Sequence, residues 1–131
     1  MLCMTDFARK KSGLTKYRHV RLLDRSAARK SADILRCGFS HEACGRKFTY
    51  WQEKLGYIGG GCREAGENIA WGSGSLGTVR SIFNAWMHSP GHRAAILSRN
   101  YTEIGIGNKR GEFDGYSGSS VWVQQFGHRG C

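Results

Sequence analysis

Residues 101–127 read YTEIGIGNKRGEFDGYSGSSVWVQQFG, and both ends of this stretch carry a period of two. Ile104 and Ile106 alternate with glycines, and VWVQQFG alternates in the same way. That period puts successive side chains on opposite faces, so both ends are predicted strands. The Gly- and Ser-rich KRGEFDGYSGSS between them reads as a long hairpin loop. Two strands alone cannot bury their faces in water, so helices must cover at least one side.

Upstream, the period becomes helical. Residues 1–12 are predicted as a helix stopped by Gly13. Residues 22–37 are predicted as another, with Leu23, Ala27, Ser31, Ile34 and Leu35 on one face and Gly38 as its C-terminal stop. A third, over about residues 48–55, ends at Gly56 and runs into the loop YIGGGC. Thr78 suits the N-cap of a fourth, whose Val79, Ile82, Phe83 and Trp86 fall at i, i+3, i+4 and i+7. Ser89-Pro90-Gly91 ends that helix and opens a short one through HRAAIL, since proline is tolerated at the first helical position. Helices first and strands last indicate an α+β domain.

Residues 72–77, GSGSLG, fit the pattern G-x-G-x-x-G. That pattern cradles a pyrophosphate only inside a βαβ unit with an acidic residue about 20 positions later for the ribose. No Asp or Glu occurs from Ile69 to Thr102. AGENIAW, with a charge and an amide at its centre, is not a buried parallel strand either. No nucleotide cofactor is expected; the glycines are read as turning the chain from GENIAW into the fourth helix.

Composition is that of one globular domain over residues 1–131: 40% hydrophobic and 23% charged residues, one proline and no low-complexity tract. The net charge of +10 is uneven, with 12 Lys+Arg against 4 Asp+Glu in residues 1–50 and 8 against 6 in residues 51–131. The basic half is either a solvated face or a docking face for an anionic surface, and charge alone chooses no specific nucleic acid. Five cysteines without a C-x-x-C pair favour an oxidising compartment. Cys37 and Cys44 would close a small ring around His41; the pairing of Cys3, Cys62 and Cys131 stays open. No stretch is long and apolar enough to span a membrane, and the abrupt start at Met1 leads us to expect an export signal upstream.

Several catalytic patterns fail. HEACG opens like a zincin helix but has Gly45 where the second histidine belongs, and DGYSGSS lacks nucleophile-elbow spacing around Ser117. His88 and His92 are four apart, but Pro90 and Gly91 break the helix that would align them on a metal. What remains is dispersed: His41 in its ring, Glu67-Asn68 before the glycines, and His92 after Ser89-Pro90-Gly91. Such element ends can expose polar groups from a rigid scaffold. The alternative is that both histidines are ordinary hydrogen-bonded residues and Glu67 accepts backbone amides in a buried turn.

Arg9 ahead of Gly13-Leu14, then FSH, GENIAWG, W-x-x-S-P-G-H-R, IGIG and VWVQQFG follow one another in a set order. This series resembles the CAP superfamily (cysteine-rich secretory proteins, antigen 5 and pathogenesis-related proteins), in its bacterial SCP-like branch, from about Leu2 to Gly127. The resemblance implies a secreted three-layer α-β-α sandwich with a small antiparallel sheet, in which His41, Glu67 and His92 converge in a cleft. Many members carry a second Glu at the position of Ser89, and bacterial members tend to carry Asn at the position of Asp6.

Two functions follow as expectations. In one, the domain is a secreted monomeric module whose cleft and adjacent grooves hold a small hydrophobic or cell-envelope ligand, with Asn68 and Ser89 contributing to binding. In the other, His41 and His92 hold Zn²⁺ or another divalent cation and Glu67 acts as general base in hydrolysis of a peptide or cell-wall bond.

Overall fold

The computed structural model describes residues 1–61 and 63–130. The elements run α1 (Leu2–Lys11), β1 (Arg18–His19), α2 (Arg21–Cys37), α3 (Tyr50–Lys54), β2 (Arg63–Ser73), α4 (Val79–Met87), α5 (Pro90–Ile96), β3 (Glu103–Phe113) and β4 (Tyr116–Arg129), with 3-10 turns at Ala43–Gly45 and Gly74–Gly77. The strands form one sheet in the order β1-β3-β4-β2. The two-residue β1 pairs in parallel with β3, whereas β3 with β4 and β2 with β4 are antiparallel.

Helices cover both faces, giving the expected three layers. On one face Ala27 and Ile34 of α2 pack with Ala43, Ile69, Phe113, Val121 and Val123. On the other, α1, α4 and α5 pack Ile82, Phe83, Trp86 and Ile96 against Tyr17, Ile104 and Phe126. The IGIG run sets the spacing between layers: a Cβ at Gly105 or Gly107 would lie 2.2 Å from the α2 backbone at Leu23 or Ala27. Only glycine lets a helix lie that close to a strand.

The local signals for the helices hold. Gly38, at φ 113°, ends α2 and donates its N–H to the Ile34 carbonyl at 2.9 Å. The Thr78 hydroxyl accepts from Ser81 N–H at the start of α4, and Pro90 opens α5. Arg9, buried in α1, donates to the carbonyls of Ile96 (2.9 Å) and Ser98 (2.8 Å) and lies 3.6 Å over the Tyr17 ring. It thereby ties α1 to the exposed carbonyls at the end of α5.

Two expectations about the strands are corrected. The long hairpin loop is a two-residue turn: β3 runs to Phe113, β4 starts at Tyr116, and Asp114 (φ 51°) and Gly115 (φ 81°) take the left-handed conformations that a tight hairpin needs. The glycines and serines around it belong to strands with an exposed arm. Strands are also not confined to the end of the chain, because GENIAW lies within β2, antiparallel to β4 from Arg63↔Arg129 to Ser73↔Ser119. Gly72 and Gly77 meet backbone to backbone in the turn that follows: a Cβ on either would come within 2.4 Å of a carbonyl oxygen of the other segment. These glycines allow the close backbone approach that the turn requires.

Cys37 and Cys44 form a disulfide, and Cys3 is an exposed free thiol. The open pairing of Cys62 and Cys131 lies outside the described residues.

Candidate functional site at the edge of the sheet

β2 is an edge strand, and the site is built around its middle. From the α2 side comes His41. The disulfide and a Glu42 N–H to Ser40 Oγ bond of 2.9 Å shape the loop that carries it, and Lys30 of α2 donates to its carbonyl. From the opposite layer comes His92, at the third position of α5. Its main-chain oxygen accepts from Asn68 Nδ2 at 3.0 Å, which fixes α5 against β2.

Glu67 is the centre. Its side chain is 1% exposed, against 53% for His41. One carboxylate oxygen meets His41 Nδ1 at 2.9 Å and lies 3.8 Å from Lys30 Nζ; the other accepts from Gln125 Nε2 at 2.9 Å. A buried carboxylate is stable only with such partners. Because Glu67 occupies Nδ1 of His41, Nε2 is the ring nitrogen left without a partner among the described residues. His92 is anchored in the same sense, with Nδ1 2.8 Å from Ser89 Oγ. Burial lowers the His92 pKa, and the nearby His41 lowers it further, both favouring the neutral ring. Burial likewise lowers the Lys30 pKa, opposed by Glu67.

His41 thus meets Glu67 directly, while His92 is tied to the neighbouring strand position through its carbonyl and Asn68. Asn68 is 2% exposed and spends its amide on the His92 carbonyl and on Gln124 Oε1 at 3.2 Å, while the Ser89 hydroxyl holds His92. Among the described residues, no group of three or more His, Cys, Asp and Glu side chains is close enough to hold a metal ion.

Sequence reasoning missed Lys30 and Gln125. Each carried a signal: Lys30 is a cation beside the apolar stripe of α2, and Gln125 is an amide at an inward position of a strand otherwise lined by Val121 and Val123. A polar residue at a buried position of a strand or helix needs a partner, and here that partner is Glu67.

The sequence profile of the cysteine-rich secretory protein family, CAP, matches residues 5–126. The uncharacterised protein YkwD of Bacillus subtilis (strain 168) is 34% identical over 126 residues, covering 94% of this chain and 44% of that protein. Two solved structures share the fold. An outer surface protein from Borrelia burgdorferi has a TM-score of 0.80 at 20% identity, covering 98% of this chain and 90% of that one. An extracellular protein containing an SCP domain from Bacillus anthracis str. Ames has a TM-score of 0.78 at 22% identity, covering 98% and 39%. The chain therefore spans less than half the length of YkwD and of the B. anthracis protein. With its profile matched over nearly all of its length, the chain belongs to the cysteine-rich secretory protein (CAP) family.

Proposed function

We propose that this CAP domain acts outside the cell as a binding module for a cell-envelope ligand, captured at the edge of β2 by His41 and His92. The observation that carries this reading is that both imidazoles are anchored through Nδ1, one by buried Glu67 and one by Ser89. Both Nε2 atoms are then available to a ligand's polar groups, and a site with fixed rings loses little entropy on binding. An outer surface protein and an extracellular protein among those sharing the fold support the location, as does the disulfide.

His41, Glu67 and Lys30 make the β2 site polar, so an acyl chain suits an apolar groove beside α1 better. Phe7, Ala8, Phe83 and Met87 line a groove of about 380 Å³ rimmed by Lys11 and Arg93. An acyl chain with an anionic head fits that lining. Exposed Arg21, Arg25 and Arg29, at i, i+4 and i+8 on α2, form the basic stripe suited to an anionic surface.

The test has two arms. A muropeptide titrated into the labelled chain should shift the ring signals of His41 and His92, and His92→Ala should abolish the response. A fluorescent fatty acid should bind in the groove and be lost in Phe7→Asp. Silence of both rings toward muropeptide would overturn the cleft reading.

The second reading, a metal-assisted hydrolase, is favoured by the buried Glu67 beside His41, which has the geometry of a general base with an oriented partner. The Nε2 atoms of His41 and His92 would hold the cation, which would acidify a bound water; two protein ligands is one fewer than catalytic zinc sites commonly have. Zn²⁺-dependent turnover of a peptide or peptidoglycan substrate, lost in His92→Ala, would decide for it.

A further inference from the structure

The open edge of β2 exposes particular main-chain groups, and their identity follows from the far side of the sheet. The carbonyl of Ile104 accepts from Val20 N–H at 3.0 Å. Even-numbered residues of β3 therefore face β1, and odd ones face β4. A strand residue points its N–H and C=O to the same side, and the side alternates along the strand. Carried through the registers Gly105↔Gln125 and Glu67↔Gln125, odd residues of β4 face β3 and even ones face β2. Ala65, Glu67 and Ile69 are then left with their N–H and C=O on the open edge. Two side chains found there agree: Tyr101 Oη lies 3.4 Å from the Ala65 carbonyl, and Trp86 Nε1 donates to the Ile69 carbonyl at 3.2 Å.

Glu67 is the open step in this edge. Its side chain is buried while the residue as a whole is partly exposed, so its main chain is what solvent reaches. Beyond the ladder to β4, no loop backbone group or side chain among the described residues bonds its N–H or C=O. Trp86 covers the next outward position, at Ile69. His41 stands on one face of the sheet beside this step and His92 on the other.

We propose that the edge of β2 takes an extended peptide as a short added strand, with one peptide residue exchanging both main-chain hydrogen bonds with Glu67 at the point flanked by His41 and His92. The inference rests on the cleft being a binding site and specifies the chemical class it takes. A donor and an acceptor at fixed strand spacing are matched by a ligand offering both at the same spacing, which an extended peptide does and an acyl chain does not. The Trp86 cap limits the added strand to a few residues. Along the added strand, side chains alternate between the His41 face and the His92 face, which is where sequence preference would arise.

The probe is a display library of random heptapeptides, selected on the full chain and counter-selected on Ala65→Pro. That substitution removes an outward N–H that makes no bond to β4, a position where edge strands tolerate proline. Enriched peptides should bind the wild-type chain about tenfold or more tighter than the variant and should slow amide exchange at Glu67. Backbone N-methylation at alternate peptide residues in one phase should cost about tenfold, and in the opposite phase less than about twofold. This comparison uses wild-type protein only, so it stands even if Ala65→Pro misfolds. No enrichment over the variant, equal loss in both methylation phases, or unchanged exchange at Glu67 would each overturn the added strand. If muropeptide still shifts His41 and His92 while the peptide arm fails, the cleft reading survives and this inference does not; if both fail, both fall.

Discussion

Two carboxylates are buried against the same sheet, and they are used in opposite ways. Glu103, at the start of β3, has a side chain 3% exposed and receives bidentate bonds from Arg129 at 3.0 Å, together with Arg18 and the Tyr57 hydroxyl. Every acceptor position is filled by a permanent cation or a phenol. Glu67 is equally buried, but its partners are an amide, a lysine 3.8 Å away and a half-exposed imidazole. Burial of charge therefore does not mark a site by itself. The distinguishing feature is a half-exposed partner with a ring nitrogen left unbonded among the described residues.

Removing each carboxylate should separate the two roles. Glu103→Ala leaves two guanidinium groups without their shared anion and should destabilise the chain by about 3 kcal/mol in urea, the low end for a broken buried pair because both arginines reach water. The muropeptide-induced shifts of His41 and His92 should survive it. Loss of those shifts in a folded Glu103→Ala chain would erase the contrast. Next in size, replacing Cys37 and Cys44 by alanine frees an eight-residue loop and should cost about 2.5 kcal/mol. Here the cleft should suffer too, because the same ring carries His41. Ring signals of His41 as sharp as in the wild type would show that Lys30 and Glu67 alone hold the loop.

Glu67→Gln should cost less, about 2 kcal/mol, since Lys30, already lowered by burial, can lose its proton once the anion is gone. Adding Lys30→Met should restore part of that stability, because it removes the buried cation that the lost anion leaves unpaired, while the His41 carbonyl loses its lysine donor. It should not restore the Nδ1-protonated tautomer of His41, which imidazole ¹⁵N shifts report directly. Recovery of both would make Glu67 another Glu103, a structural anion only.

Much of the fold could be read from the chain because its signals were local. Gly38, Thr78 and Pro90 act within a turn of where they stand, and the alternation of Ile104, Ile106, Val121 and Val123 needs only the strand period. β2 escaped because GENIAW carries Glu67 and Asn68 where an apolar run was sought; both are buried, each satisfied by a partner on a different face. The Asp114-Gly115 turn was hidden by its Gly- and Ser-rich flanks, although the dipeptide itself is a strong hairpin signal. For the site, His41, Glu67 and His92 were recognisable by motif order, whereas Lys30 and Gln125 act through contacts 37 and 58 positions away from Glu67. The span to Lys30 is bridged by α2 lying across the sheet, and that to Gln125 by the pairing of β2 with β4; no local period encodes either.

The smallest effect concerns His92, which has no counterpart beside Glu103. Burial, reinforced by His41, keeps its folded pKa below the ordinary 6.5. Between the folded value and about 6.5 the unfolded chain binds a proton that the folded chain refuses, so stability rises with pH across that window and falls as the solution is acidified from about 6.5. Below the folded value the loss is complete. One group can contribute a slope of at most about 1.4 kcal/mol per pH unit, and a partly buried ring should give a fraction of that. The whole-chain curve sums over every titrating group, so it does not isolate this ring. The difference between wild type and His92→Gln does: it should be flat above pH 7 and should narrow as pH drops from 6.5. Parallel curves throughout would mean that His92 is as freely hydrated in the fold as in the open chain, and the neutral, anchored ring assigned to the cleft would be wrong.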